Sequence, residues 1–310
     1  MNKTFTMTLK KIILGISFLF SGMILAYPQE AASDSSAAPA KKPLEKKPFE
    51  SGIFIDYQTV EAPPAKTLEF VLQHRFGSIQ QGISDIYGLW GASNIRLGLN
   101  FTPIKNLMIG LGTTKNYMVQ DLQVKYIFLH QRKGGCPLTI GFYGDLGLDA
   151  TPRKNFGLDY KFSDRFSWYG EFMIARRFCK QFSMQLGLAY SHFNKVDTNS
   201  TNDVASISLL GRIKVSPQSS IILAFEQPIV VYYDPAFIVR YPNNWLEINH
   251  ATPYQNWSLG WEISTSTHTF QMFIEAANGI VPQYVTAKNS NNFWNGYILF
   301  GFNITRLWTF

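Results

Sequence analysis

Seven carboxylates and four cations fall on the polar side of short alternating segments: Glu69, Asp121, Asp145, Glu171, Glu226, Glu262 and Glu275 against Arg75, Arg96, Lys125 and Arg212. Gathered around one enclosed space, they carry a net −3 inside a chain whose net charge is +7. Two kinds of chemistry fit this set. A narrow acidic passage with low-dielectric walls focuses the field, favours cations and disfavours anions. Alternatively, the same groups pair as an Arg–carboxylate network that braces a wall and leaves little water. Strand positions put Glu262 toward one end of the space and Glu226 and Glu275 toward the other, so these three form no tight carboxylate cluster.

Hydrolytic or metal chemistry finds less support. His74, His130, His192, His250 and His268 are scattered, and no His–Glu–x–x–His, Cys–x–x–Cys or Gly–x–Ser–x–Gly motif is present. Ser191 and His192 are adjacent, so on a strand they point to opposite faces. No catalytic residue, metal site or cofactor is assigned. An enzyme ranks below a transporter or a structural barrel.

The elements that must carry these groups are strands. Twelve segments near the barrel-strand length of about ten residues recur: 68–76, 94–101, 106–112, 119–130, 137–148, 166–176, 181–192, 204–213, 219–227, 256–264, 268–277 and the terminal 296–310. Each alternates. Ile95, Leu97, Leu99 and Phe101, for example, oppose Arg96, Gly98 and Asn100. Period-two alternation separates an apolar medium from a polar one. Every second connection is short and most of the others are long, as in barrels with short periplasmic turns and longer extracellular loops. No later segment is apolar enough for a spanning helix, so the chain crosses a membrane only as a closed barrel.

The last strand sets the register. In Gly296 to Phe310, even-numbered residues such as Phe300, Phe302 and Ile304 face lipid, and odd-numbered ones face the interior. Arg306 is the exception on the lipid side; near a rim its stem reaches water or headgroups. A terminal Phe310 suits recognition by the barrel-assembly machinery, with outer-membrane lipid around the wall.

Composition agrees. Aromatics reach 15% and charged residues only 16%, as expected of a barrel with aromatic girdles. Residues 1–26 read as a signal peptide, with Lys3, Lys10 and Lys11 before an apolar run too short for an anchor. Its removal leaves 25 basic against 21 acidic residues, net +4, which gives no case for nucleic acid. Residues 27–66 read as a largely disordered periplasmic linker, rich in Ala, Ser, Pro, Lys and Glu. Within it, Ile53 to Ile55 is either a short strand or a plug segment. Residues 67–310 form the barrel.

Three further features stand out. Cys136 and Cys179 fall in turns on the same rim, flanking neighbouring strands, and a Cys136–Cys179 disulfide is expected in an oxidising compartment. The connection 228–255 holds Tyr232, Tyr233, Phe237, Tyr241, Trp245 and Tyr254, which pack as a lid or girdle or bind a ligand. Gly77 to Ser93 is a compact surface loop or an inward constriction.

Several stretches resemble a known family: LEFVLQHRFG (68–77), SDIYGLWGASNIRLGL (84–99), MIARRF (173–178), HTFQMFIEAANGI (268–280) and FGFNITRLWTF (300–310). They are similar to a family of Bacteroidota outer-membrane β-barrels known as domain of unknown function five-seven-seven-seven. The resemblance covers roughly Leu68 to Phe310 and implies an outer-membrane barrel. It brings no catalytic or ligand residues. The expected function is porin-like passage of small solutes through a mildly acidic lumen. The alternative is a non-conducting structural or partner-binding barrel with a filled lumen.

Overall fold

The alternating segments close into one sheet. The structure, a computed structural model, describes residues 42–196, 200–231 and 252–310. The expected signal peptide, linker residues 27–41 and Tyr232, Tyr233, Phe237, Tyr241 and Trp245 of the aromatic loop lie outside the described residues.

Twelve strands form the barrel: β3 (Thr67–Ser78), β4 (Asn94–Ile104), β5 (Leu107–Thr114), β6 (Gln120–Leu129), β7 (Thr139–Leu148), β8 (Phe166–Arg177), β9 (Phe182–Phe193), β10 (Asp203–Lys214), β11 (Ser219–Val230), β12 (Asn256–Ser264), β13 (His268–Glu275) and β14 (Leu299–Thr309). Each pairs antiparallel with its sequence neighbours, and β14 closes on β3. Closure leaves no open edge to face lipid. The last strand starts later than its alternation suggests, because a 3-10 turn at Phe293–Asn295 ends on Gly296 at φ 80°.

The two faces differ sharply. In β6, Leu122, Val124, Tyr126 and Phe128 are 41–56% exposed, while Asp121, Gln123 and Lys125 are at most 3% exposed. Apolar side chains outside and charged ones inside are the inverse of a water-soluble sheet and match a lipid-embedded wall. Arg306 keeps the outer register, opposite Phe70 and His268, and its guanidinium stacks over Trp308 at 4.9 Å. A cation beside a girdle tryptophan near the rim needs no burial.

The interior is occupied from both ends. A two-stranded hairpin, β1 (Ile53–Phe54) and β2 (Tyr57–Gln58), sits inside the barrel, and every residue from Ser51 to Glu61 is buried. This corrects the disordered-linker reading for residues 49–62. Short strand and plug segment, the two readings of Ile53 to Ile55, are both right. From the other end, the β13–β14 connection turns inward as helix α1 (Pro282–Lys288), whose residues Pro282 to Ala287 are all buried. Gly77 to Ser93 stays at the rim, with Ile83 and Trp90 exposed.

Candidate functional site: the occupied lumen

The hairpin packs by burial. Phe49, Phe54, Ile55, Tyr57 and Val60 join Ile127, Met173, Leu210, Ile222 and Phe273 from the wall in one buried cluster. Each large side chain withdrawn from water contributes about 1.5–3 kcal/mol. The wall residues here point inward, between the lipid-facing ones. Phe172-Met173-Ile174, Ile221-Ile222-Leu223 and Met272-Phe273-Ile274 are consecutive apolar triplets. A strand apolar on both faces signals a dry neighbour on each, and this signal in the sequence marks where the lumen is filled.

Amide side chains grip the hairpin backbone. Gln271 accepts from Ile55 N–H at 3.1 Å and donates to the Ile53 carbonyl at 2.9 Å. Gln185 accepts from Val60 N–H at 2.9 Å and donates to the Gln58 carbonyl at 2.7 Å. Asn303 donates to the Ile55 carbonyl at 2.8 Å. Ile55 forms the turn at φ 58°, a left-handed conformation that costs a β-branched residue about 1–3 kcal/mol. These bonds on both sides of it hold it there. The three amides lie on the same inward register as the charged set, but carry no charge to single them out in the sequence.

The charged set divides into local pairs. Arg75 reaches Asp56 of the hairpin at 2.5 Å, pairs with Glu275, and donates to Asn303 at 2.9 Å. Arg96 holds Asp121 through two bonds of 3.0 and 2.6 Å. Lys125 donates to the hairpin carbonyls of Gly52 at 2.8 Å and Glu61 at 3.1 Å. Arg212 joins Glu262 at 3.1 Å and Glu50 at 3.0 Å.

The remaining carboxylates take neutral donors: Glu69 from Asn100 at 2.8 Å, Glu171 from Ser208 at 3.2 Å, and Asp145 from Tyr143 at 3.1 Å and Gln283 at 2.9 Å. Glu226 accepts from Tyr57 at 3.3 Å and from Thr286 at 2.7 Å. All eleven sequence-selected charges are buried. Glu226, Glu262 and Glu275 meet different partners and form no triad.

Inward glycines make room for these groups. A Cβ on Gly112 would overlap Arg96 and Asp121, and one on Gly187 would overlap Glu171 and Ser208.

On the hairpin, burial above all, with Glu226 and Asp56 adding to it, pushes the Tyr57 phenol well above its ordinary value, so it remains a donor. Burial also raises Glu61 to about 7, against the opposing pull of Lys47, whose amine lies 3.7 Å away.

The two cysteines are free, which corrects the expected disulfide. The Cys136 thiol donates to the Leu138 carbonyl within its own turn, and the Cys179 N–H is committed to Phe182 across the next one. Thr139 pairs with Ala175, so the cysteines lie three and four residues beyond the last paired positions of these two strands.

A closed antiparallel barrel with an apolar outer face and a charged, occupied interior defines a membrane-bound β-barrel of the outer-membrane type. The family model described as "Membrane bound beta barrel domain (DUF5777)" matches residues 49–308, and the chain belongs to that family. The match begins at the hairpin, so the occupied lumen lies within the family's own span.

Among solved structures, the NanC porin covers 78% of this chain and 99% of its own, at 10% identity and a TM-score of 0.46. The KdgM porin covers 79% and 99%, at 7% identity and 0.43. Omp33 of Acinetobacter baumannii covers 78% and 98%, at 8% identity and 0.36. No curated protein matches.

Proposed function

We propose that this outer-membrane barrel is closed at rest and has no enzymatic role, its lumen occupied by residues 49–62 from the periplasmic end and by α1 from the outer end. The observation that carries this reading is the burial of every residue from Ser51 to Glu61 inside the wall. A segment held by buried ion pairs and by hydrogen bonds from side-chain amides behaves as a structural part of the barrel and takes up the space a solute would need. We further propose that the strand ending on the exposed Phe310 is the segment the assembly machinery engages.

Planar-bilayer conductance tests the closed state. The wild-type protein gives no steady current, and a variant lacking residues 49–62, shown folded by heat-modifiable gel mobility, conducts. A steady wild-type current overturns the reading.

One observation favours a second reading, a gated passage. The wall behind the hairpin carries Gln73, Gln185, Gln271 and Asn303, groups that water satisfies as well as a peptide does. On this reading Lys125→Met, which frees the Gly52 and Glu61 carbonyls, turns a silent barrel into a flickering one.

A further inference from the structure

The two ends of the barrel carry unlike charge. At the end where β3 begins and β14 finishes, five short connections join the strands. They hold Lys105, Arg132, Lys133 and Lys180 and no carboxylate. The six connections of the opposite end hold eight cations against seven carboxylates. We propose that the first end binds the anionic headgroups of phospholipids in the leaflet that surrounds it.

The acids near this rim are already matched. Glu45 meets Arg177 at 3.6 Å, and Glu61 meets Lys47 at 3.7 Å. Glu50 meets Arg212 at 3.0 Å and Lys214 at 2.9 Å. Deeper in the lumen, Glu262 shares Arg212, and Glu69 is enclosed with Asn100. Lys66 lies beside the terminal carboxylate, its carbonyl accepting from the Phe310 N–H. Lys46, Lys105, Arg132, Lys133 and Lys180 make no ion pair among the described residues.

These cations form one arc. Leu44 bridges to Arg132, and the Glu45 N–H donates to the Gln131 carbonyl, so the segment before the hairpin runs along the β6–β7 turn and brings Lys46 to it. Gln131 in turn donates to the Arg177 carbonyl at 2.9 Å, which joins this turn to the end of β8 and the turn that holds Lys180. On the other side, His130 bonds to Asn106 of the β4–β5 turn at 2.9 Å. Burial first, and then Lys105, Arg132 and Lys47 around it, hold the His130 imidazole below its ordinary value. Three turns and the N-terminal segment therefore share one positive field.

Lipid fits this arc because apolar side chains stand beside the cations. Ile104 precedes Lys105, Leu129 precedes the β6–β7 turn, and Phe178 precedes Lys180, all three exposed. On the outer face of the wall, Arg176 lies over Phe178 at 5.3 Å and Arg306 over Trp308 at 4.9 Å. Aromatic and cationic side chains together mark the level at which a wall leaves hydrocarbon for headgroups. Cations at that level attract anionic lipid over about a Debye length, about 8 Å at physiological ionic strength.

The test is native mass spectrometry of the intact, detergent-solubilised protein titrated with phosphatidylglycerol, phosphatidylcholine of the same chain length serving as the neutral control. Phosphatidylglycerol binds at least about tenfold more tightly. Lys105→Gln, Lys133→Gln and Lys180→Gln together remove most of that preference. Lys115→Gln, Lys154→Gln and Lys161→Gln, which take the same charge from the opposite end, leave it in place. Folding of both variants is checked by heat-modifiable mobility. Glycerol phosphate, the headgroup without its chains, and hexaglutamate each fail to displace the lipid. Four results overturn the proposal: equal binding of the two lipids, equal loss of preference in the two triple variants, displacement by glycerol phosphate, which marks a site for soluble anions, or displacement by hexaglutamate, which marks a surface for an acidic protein.

Discussion

Tyr57 and Thr286, carried into the barrel from opposite ends, hydrogen-bond to the two different oxygens of one carboxylate, Glu226. The N-terminal hairpin and the helix of the β13–β14 connection are thereby joined through a single side chain of the wall. Glu226→Ala leaves both hydroxyls without this acceptor, at about 1–3 kcal/mol each. The temperature at which the folded gel band converts to the unfolded one falls, and protease access rises at both the hairpin and α1. Glu226→Gln keeps one acceptor oxygen and has the smaller effect. Loosening of only one occupant in Glu226→Ala would show that the two are not coupled.

Arg75 is the second fastening. It faces Asp56 and Glu275 with no exposed atoms. Arg75→Met strands two acidic groups in the interior, and breaking a buried pair of this kind costs about 3–5 kcal/mol. The variant loses its folded band at a much lower temperature. Adding Asp56→Asn and Glu275→Gln restores much of the loss, since neutral amides can bond one another. Failure of the triple variant to recover would assign Arg75 a packing role over Phe273, where its guanidinium sits 4.6 Å from the ring.

Hairpin seating depends on pH through Glu61. Burial raises this carboxyl from 4.5 to about 7, so between those values the seated form binds the proton more tightly than the released form. Stability is therefore full below about pH 4.5 and declines as pH rises toward 7, by up to roughly 3 kcal/mol at 1.36 kcal/mol per unit. Hydrogen exchange of residues 49–62 accelerates from pH 5 to pH 8 beyond the intrinsic rate, and Glu61→Gln flattens the excess. Protection that grows with pH would contradict the assignment.

The thiols provide a chemical check. Cys136 and Cys179 are both free, so a maleimide adds two labels per chain to protein purified without reductant, the exposed Cys179 reacting first. A mass two hydrogens lighter that takes no label would restore the disulfide.

The wall was legible in the sequence because alternation repeats. Leu122, Val124, Tyr126 and Phe128 each add to the same signal, and the loop lengths add an independent one. The lumen's contents were not legible. Ile53 to Ile55 is one short apolar run with no repeat to reinforce it, and Pro282 to Lys288 is too short to show a helical period. The charged residues could be picked out by parity, but their partners could not. Asp56 falls within the expected linker, and Gln283 and Thr286 between two expected strands. The apolar triplets around Met173, Ile222 and Phe273 held the missing information, because a water-filled lumen gives no reason for apolar residues on the inner face.

The hairpin tip touches the first and last barrel strands together. Arg75 of β3 holds Asp56, and Asn303 of β14 holds the Ile55 carbonyl, with Arg75 and Asn303 bonded to each other across the closing seam. The tip is thus a clasp that both free edges of the unfinished sheet need. Closure of the cylinder and seating of the hairpin therefore share one set of bonds, and neither is complete without the other.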